Sequence, residues 1–94
     1  MKNVTINSIE YEIIEDYKNG YDKEAIEEKL TDYFEPFDYI VGDWAYGKLR
    51  LKGFCDKTNS IYRKMNDIQN KDTYLKNECA YECKYFVLKK TRVV

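Results

Sequence analysis

The sequence predicts an α+β domain in the order β-β-α-β-β-α-β, a mostly antiparallel sheet with helices packed on one face. Three observations predict it. The chain opens on period-two alternation in VTINSIEYEII, residues 4–14. A capped apolar stripe at helical spacing follows within residues 22–34. The chain closes on a second strand pair and the apolar run Tyr85–Leu88. Ninety-four residues fit one domain, 1–94, since domains run to about 100–150 residues at the mode.

The elements follow in order. Val4 and Ile6 fall on one face, Asn7-Ser8 offers a turn, and Ile9 to Ile14 resume the alternation. This predicts a hairpin of strands at about 3–6 and 9–15. Asn19-Gly20 is a turn signal, with positive φ available at the glycine. Asp22 is a good N-cap for a helix over 22–34, with Ile26, Leu30, Tyr33 and Phe34 as its apolar stripe and Pro36 just beyond its end. DYIVGDWAYGKLRLKGF then predicts strands at about 38–42 and 48–54. In the second, Leu49 and Leu51 point one way and Lys48, Arg50 and Lys52 the other. Gly42 and Gly47 bracket the expected turn. CDKTNS, from Cys55, is loop-like. A helix over about 69–79, capped by Asp67 or Asn70, precedes a last strand at about 84–91. The continuous apolar centre of that strand suits a central position covered on both faces.

Composition bounds the function. Ten Tyr, four Phe and one Trp supply large rings to a thin core; the same rings could also build a stacking surface. The net charge of −1 hides an asymmetry: residues 1–47 balance to −8 and residues 48–94 to +7. The halves either neutralise each other across the fold or leave one acidic and one basic face. The sequence has no His, which removes the commonest general base and metal ligand. It has no phosphate-cradling glycine loop, and no cofactor or metal is expected. No signal peptide and no membrane-length apolar run stand in it. The expectation is a cytoplasmic protein without a membrane partner, in which Cys55, Cys79 and Cys83 are free thiols. Cys79 and Cys83 form a CxxxC, read as buried structural cysteines.

The central stretch is the functional candidate. Trp44 and Tyr46 stand beside Lys48, Arg50 and Lys52, a mixture of stacking rings and phosphate-pairing cations that suits RNA or an RNA-containing assembly. In the alternative, Trp44 plugs the core and the cations form a solvated strand face. Gly42, Asp43, Gly47 and Gly53 are turn and structural positions, with Asp43 bonding the turn backbone. Two other functions compete with a non-enzymatic RNA-binding module. One is a protein–protein adaptor using Glu24, Glu27 and Glu28 of the acidic half. The other is a small enzyme built on the carboxylates Asp38 and Asp43.

The stretch GDWAYGKLRLKGF, the segment CAYECKYFVLKK and the opening YEIIEDYKNGYDKEAIEEKL together resemble the YutD-like family over nearly the whole chain. Gly42, Asp43, Trp44, Gly47, Leu49, Arg50 and Gly53 match its central motif, and Glu82 stands where the family pattern has a glycine. The resemblance implies an α+β fold in small cytosolic proteins of low-GC Gram-positive bacteria. It implies no reaction and carries over no catalytic residue.

Overall fold

The computed structural model describes residues 2–78 and 84–93. Five strands make one sheet: β1 (Lys2–Ile6), β2 (Ile9–Tyr17), β3 (Tyr39–Ala45), β4 (Lys48–Phe54) and β5 (Tyr85–Val93), in the spatial order β1-β2-β5-β3-β4. All four strand pairings are antiparallel. Helices α1 (Lys23–Lys29) and α2 (Lys71–Glu78) complete the predicted α+β order, joined by 3-10 turns at Asp32–Phe34, Lys64–Asn66 and Ile68–Asn70.

The first hairpin closes as expected at Asn7-Ser8. Ile6 pairs with Ile9, and the two turn residues take φ of 53° and 66°, the backbone that matches strand twist. β2 runs to Tyr17, beyond the expected end at 15, because Asp16 and Tyr17 pair with Phe86 and Tyr85 after a register shift between Ile13 and Glu15. Ile14, next after Ile13 in the alternation, packs on the second face of the sheet with the cluster of Val41 and Val87. The next turn differs from expectation: positive φ falls on Lys18 and Asn19, at 55° and 58°. Gly20 is needed for another reason. A Cβ there would lie 2.7 Å from the backbone of Tyr85.

Asp22 caps α1, its carboxylate accepting from the Ala25 N–H at 3.2 Å. The helix stops at Lys29 rather than running to 34. Leu30 turns extended, with ψ 120°, keeps its side chain in the core, and presents its carbonyl to Asn7 Nδ2 at 3.0 Å. Tyr33 and Phe34 keep helical spacing but belong to the separate 3-10 turn.

The expectation that both helices cover one face is overturned. Ile26 of α1 and Leu30 just beyond its end pack with Ile40, Phe86 and Leu88 on one face. Leu75 of α2 packs with Val41, Phe54 and Val87 on the other. The reason lies in β5, which sits between β2 and β3 with Phe86, Val87 and Leu88 all fully buried. A strand without polar alternation needs cover on both sides.

The segment that begins with the loop-like CDKTNS is tied down at both ends. Cys55 forms an isolated parallel bridge with Asp67; its N–H donates to the Asn66 carbonyl at 2.8 Å and its carbonyl accepts from Ile68 N at 3.0 Å. Asp67 then caps the following turn by accepting from Gln69 N at 2.9 Å, so α2 begins only at Lys71. Cys79, Glu82 and Cys83 lie outside the described residues. Among the described residues no helix is long and apolar enough to cross a membrane.

Candidate functional site

The β3–β4 hairpin is longer than its sequence suggests. The turn is Tyr46-Gly47, at φ 54° and 76°, so both turn residues are left-handed as a two-residue hairpin loop requires. Gly47 meets that requirement without strain. Tyr46 meets it with a ring that is 100% exposed. Asp43 and Trp44, expected in or beside the turn, are therefore strand residues, and Asp43 does not bond the turn backbone.

Instead, Asp43 is fully buried on the α2 face and pairs with Arg50, which stands opposite it on β4. Arg50 Nη2 and Nε donate to Asp43 Oδ2 at 2.5 and 3.1 Å, and Tyr74 Oη lies 3.4 Å from Oδ1. Trp44 faces the opposite side of the sheet. Its Nε1 donates to the Gly20 carbonyl at 2.7 Å, and Lys84 Nζ stands 4.9 Å from its ring centroid. The two glycines flanking this pair in the motif are steric slots. A Cβ on Gly42 would meet the Phe86 ring at 2.1 Å, and one on Gly53 the Phe37 ring at 2.3 Å. The structure thus brings Asp43 together with Arg50 and separates Trp44 from Arg50, so ring and guanidinium do not share a face. Lys48 is exposed, and Lys52 Nζ lies over the Phe54 and Tyr74 rings at 5.4 and 6.0 Å.

Asp38 does not join Asp43 in a site. Its Oδ2 accepts from Asp56 N at 2.8 Å and from Asn59 Nδ2 at 3.1 Å, which anchors the 56–59 turn. Beside it the Tyr39 hydroxyl titrates above its ordinary range, because of burial and the nearby Asp56 carboxylate. The Cys55 thiol is buried, and burial pushes its pKa up, away from thiolate chemistry. Among the described residues no group of three or more Cys, Asp or Glu could hold a metal ion.

The opposed halves of the charge map meet within the fold. Glu10 and Glu12 of β2 lie opposite Arg92 and Lys89 of β5. Lys71 forms an ion pair with Glu15, and Arg92 with Glu10 at 3.5 Å. Glu24, Glu27 and Glu28 remain exposed on α1.

A different surface stands out. A groove of about 550 Å³ runs beside β4, lined by residues 50–53 of that strand. Tyr33, Phe34 and Phe37 line it from the segment before β3; Ile61, Arg63 and Met65 line it from the segment after β4; Tyr74 contributes from α2. Tyr33 and Met65 are 68% and 73% exposed. Among the described residues the lining holds three cations, Arg50, Lys52 and Arg63, and no carboxylate. Sequence reasoning identified Arg50 and Lys52 but missed the rest. Tyr33 and Phe34 read as helix stripe, and residues 61–65 fall in no predicted element; the chain's return at Cys55–Asp67 makes the latter neighbours of β4.

The family model described as "Putative antitoxin YutD-like" matches residues 5–89 of this chain. A Bacillus subtilis (strain 168) protein named "Putative antitoxin YutD" is 40% identical over 89 residues, covering 95% of this chain and 98% of its own length. The solution NMR structure of protein yutD from B. subtilis matches the fold with a TM-score of 0.81 at 38% identity, covering 100% of this chain and 86% of that one.

Proposed function

The chain belongs to the YutD-like family, and on that premise we propose that it acts by binding an anionic partner, rather than by catalysis, at the groove along β4. The observation that carries this is the lining: aromatic and aliphatic walls with three cations, of which Arg50 is tied to Asp43, and, among the described residues, no carboxylate. Such a surface lowers the energy of a negatively charged guest and gives its apolar parts somewhere to sit. The B. subtilis relative carries the name of an antitoxin, and neutralising a toxin by contact is work for an interaction surface. The candidate acids Asp38 and Asp43 are both committed to holding the fold.

The test is capture of partners from a lysate of the source cells by the wild type and by Lys52→Glu/Arg63→Glu. The reading expects the charge-reversed variant to lose the captured partner while melting like the wild type. Equal recovery by both proteins rejects the groove.

RNA is the second reading, favoured by the exposed Tyr33 ring standing on the same groove as Lys52 and Arg63. It expects nuclease to remove the captured partner, and binding of a single-stranded RNA oligomer to weaken steeply with salt. A flat titration at low salt would end it. An adaptor face on Glu24, Glu27 and Glu28 is the remaining alternative, and it expects a basic partner whose capture survives nuclease and groove charge reversal.

A further inference from the structure

We infer that the groove's occupant is an extended protein segment of alternating acidic and apolar residues, which adds to β4 as a sixth strand. The inference rests on the binding reading above and names its partner class.

Backbone parity comes first. Trp44 N donates to the Lys84 carbonyl at 3.0 Å, and Lys90 N donates to the Asp38 carbonyl at 2.8 Å. The even-numbered residues of β3 therefore turn their backbone groups to β5, and the odd-numbered ones turn theirs to β4. Opposite those odd residues stand Lys48, Arg50, Lys52 and Phe54. It follows that Leu49, Leu51 and Gly53 direct N–H and C=O away from the sheet. β4 is an edge strand, and among the described residues those groups have no partner.

The same edge already takes a chain segment where it continues. At Cys55, the next position of that parity, N–H and C=O bond to Asn66 and Ile68 in a parallel bridge. The groove, lined by Leu51, Gly53, Met65 and Asn66, prolongs that line along the open part of β4. Unpaired edges invite such addition.

The faces of β4 set the side-chain pattern of the guest. On the α1 face it offers the half-buried Leu51, with Phe34 and Ile61 beside it in the same apolar cluster, while Leu49 is already buried in the core. On the α2 face it offers Lys48, Arg50 and Lys52. Arg50 is tied to Asp43, whereas Lys48, Lys52 and the groove's Arg63 have no carboxylate partner among the described residues. An added strand alternates its side chains between these two faces. Apolar residues at every second position meet Leu51 and its apolar neighbours, and acids between them meet the lysines.

The test titrates the full chain with four blocked octapeptides while following amide NMR signals. The peptides are alternating glutamate–valine, the same peptide N-methylated at alternate residues in each of the two possible phases, and all-glutamate. The expected result is binding of the unmodified alternating peptide, with slowed hydrogen exchange at Leu49, Leu51 and Gly53. Loss of one or two strand hydrogen bonds should weaken one N-methyl phase roughly tenfold and leave the other near the parent. Lys52→Glu/Arg63→Glu should weaken the parent peptide and steepen no other property of the protein. Equal binding of all-glutamate, or of both N-methyl phases, overturns strand addition while leaving an anion-binding groove. Binding of single-stranded RNA with no peptide bound also overturns the inference alone. Binding of neither class, together with equal capture by the wild type and the groove variant, overturns the underlying reading as well.

Discussion

Arg50→Ala tests whether the centre of the family motif is structural or a solvated recognition face. Asp43 is fully buried, and the Arg50 guanidinium that compensates it at 2.5 Å is itself 41% exposed. Truncation leaves the carboxylate facing a Tyr74 hydroxyl at 3.4 Å and whatever water enters the vacated space. Removing one partner of a buried pair costs about 3–5 kcal/mol, and the exposure of Arg50 puts this case near 3. In a domain of this size each kcal/mol moves Tm by roughly 4–8 °C, so the variant should melt about 12–24 °C lower. An arginine that only decorates a wet face costs within about 0.5 kcal/mol, a shift of at most about 4 °C by the same conversion. Lys48→Ala, exposed on the same strand face, is the control. The effect should also be asymmetric. Asp43→Asn leaves a guanidinium that can reach water, and its Tm should fall less than half as far. Thermal melts followed by circular dichroism give all three values. Arg50→Ala melting within about 4 °C of wild type, or level with Lys48→Ala, would refute the buried-pair argument.

Three further predictions follow from the same structure. Gly42→Ala places a methyl where the buried Phe86 ring sits, 2.1 Å away; it should cost about 1–3 kcal/mol or more by overpacking, read as a lowered urea midpoint, and an unchanged midpoint would count against the slot. Trp44→Phe removes the indole donor to the Gly20 carbonyl and should cost about 1–2 kcal/mol; a variant as stable as wild type would mean that the bond contributes nothing net. Burial, helped by the Glu35 charge, pushes the Tyr11 phenol up to about 12. The folded state holds that proton where an unfolded tyrosine releases it near 10, so stability is full below about pH 10 and falls between about 10 and 12. Tyr11→Phe should lessen that alkaline fall. Because the Tyr11 hydroxyl has no hydrogen-bond partner among the described residues, the variant should match wild type or exceed it by about 1 kcal/mol near neutrality. Urea melts at pH 8 and pH 11 check both parts, and a steeper alkaline loss in the variant would contradict them.

What the sequence determined by itself is what local chemistry can write. Asp22 as cap, Asn7-Ser8 as turn, period-two alternation in residues 4–14 and 48–54, and the unbroken apolar run Tyr85–Leu88 each specify a neighbourhood of a few residues. From them came the element order, the antiparallel class and the central place of the last strand. The family motif was legible too, as a string, although its meaning was not. Gly42 and Gly53 look like turn residues until Phe86 and Phe37 are seen to occupy the space a Cβ would fill.

Only the tertiary structure decided which charges meet and which rings stay available. Asp43 and Arg50 are seven residues apart in the chain, and strand register makes them opposite neighbours. Trp44 and Arg50 lie closer still in sequence, and the pleat sends them to opposite faces. The groove draws its walls from residues 33–37, 50–53 and 61–66, segments that no periodicity links. Residues 61–66 reach β4 because Cys55 bonds to the chain on either side of Asp67. Long-range pairing is a property of the closed sheet, so the surface it creates exists nowhere in the linear pattern.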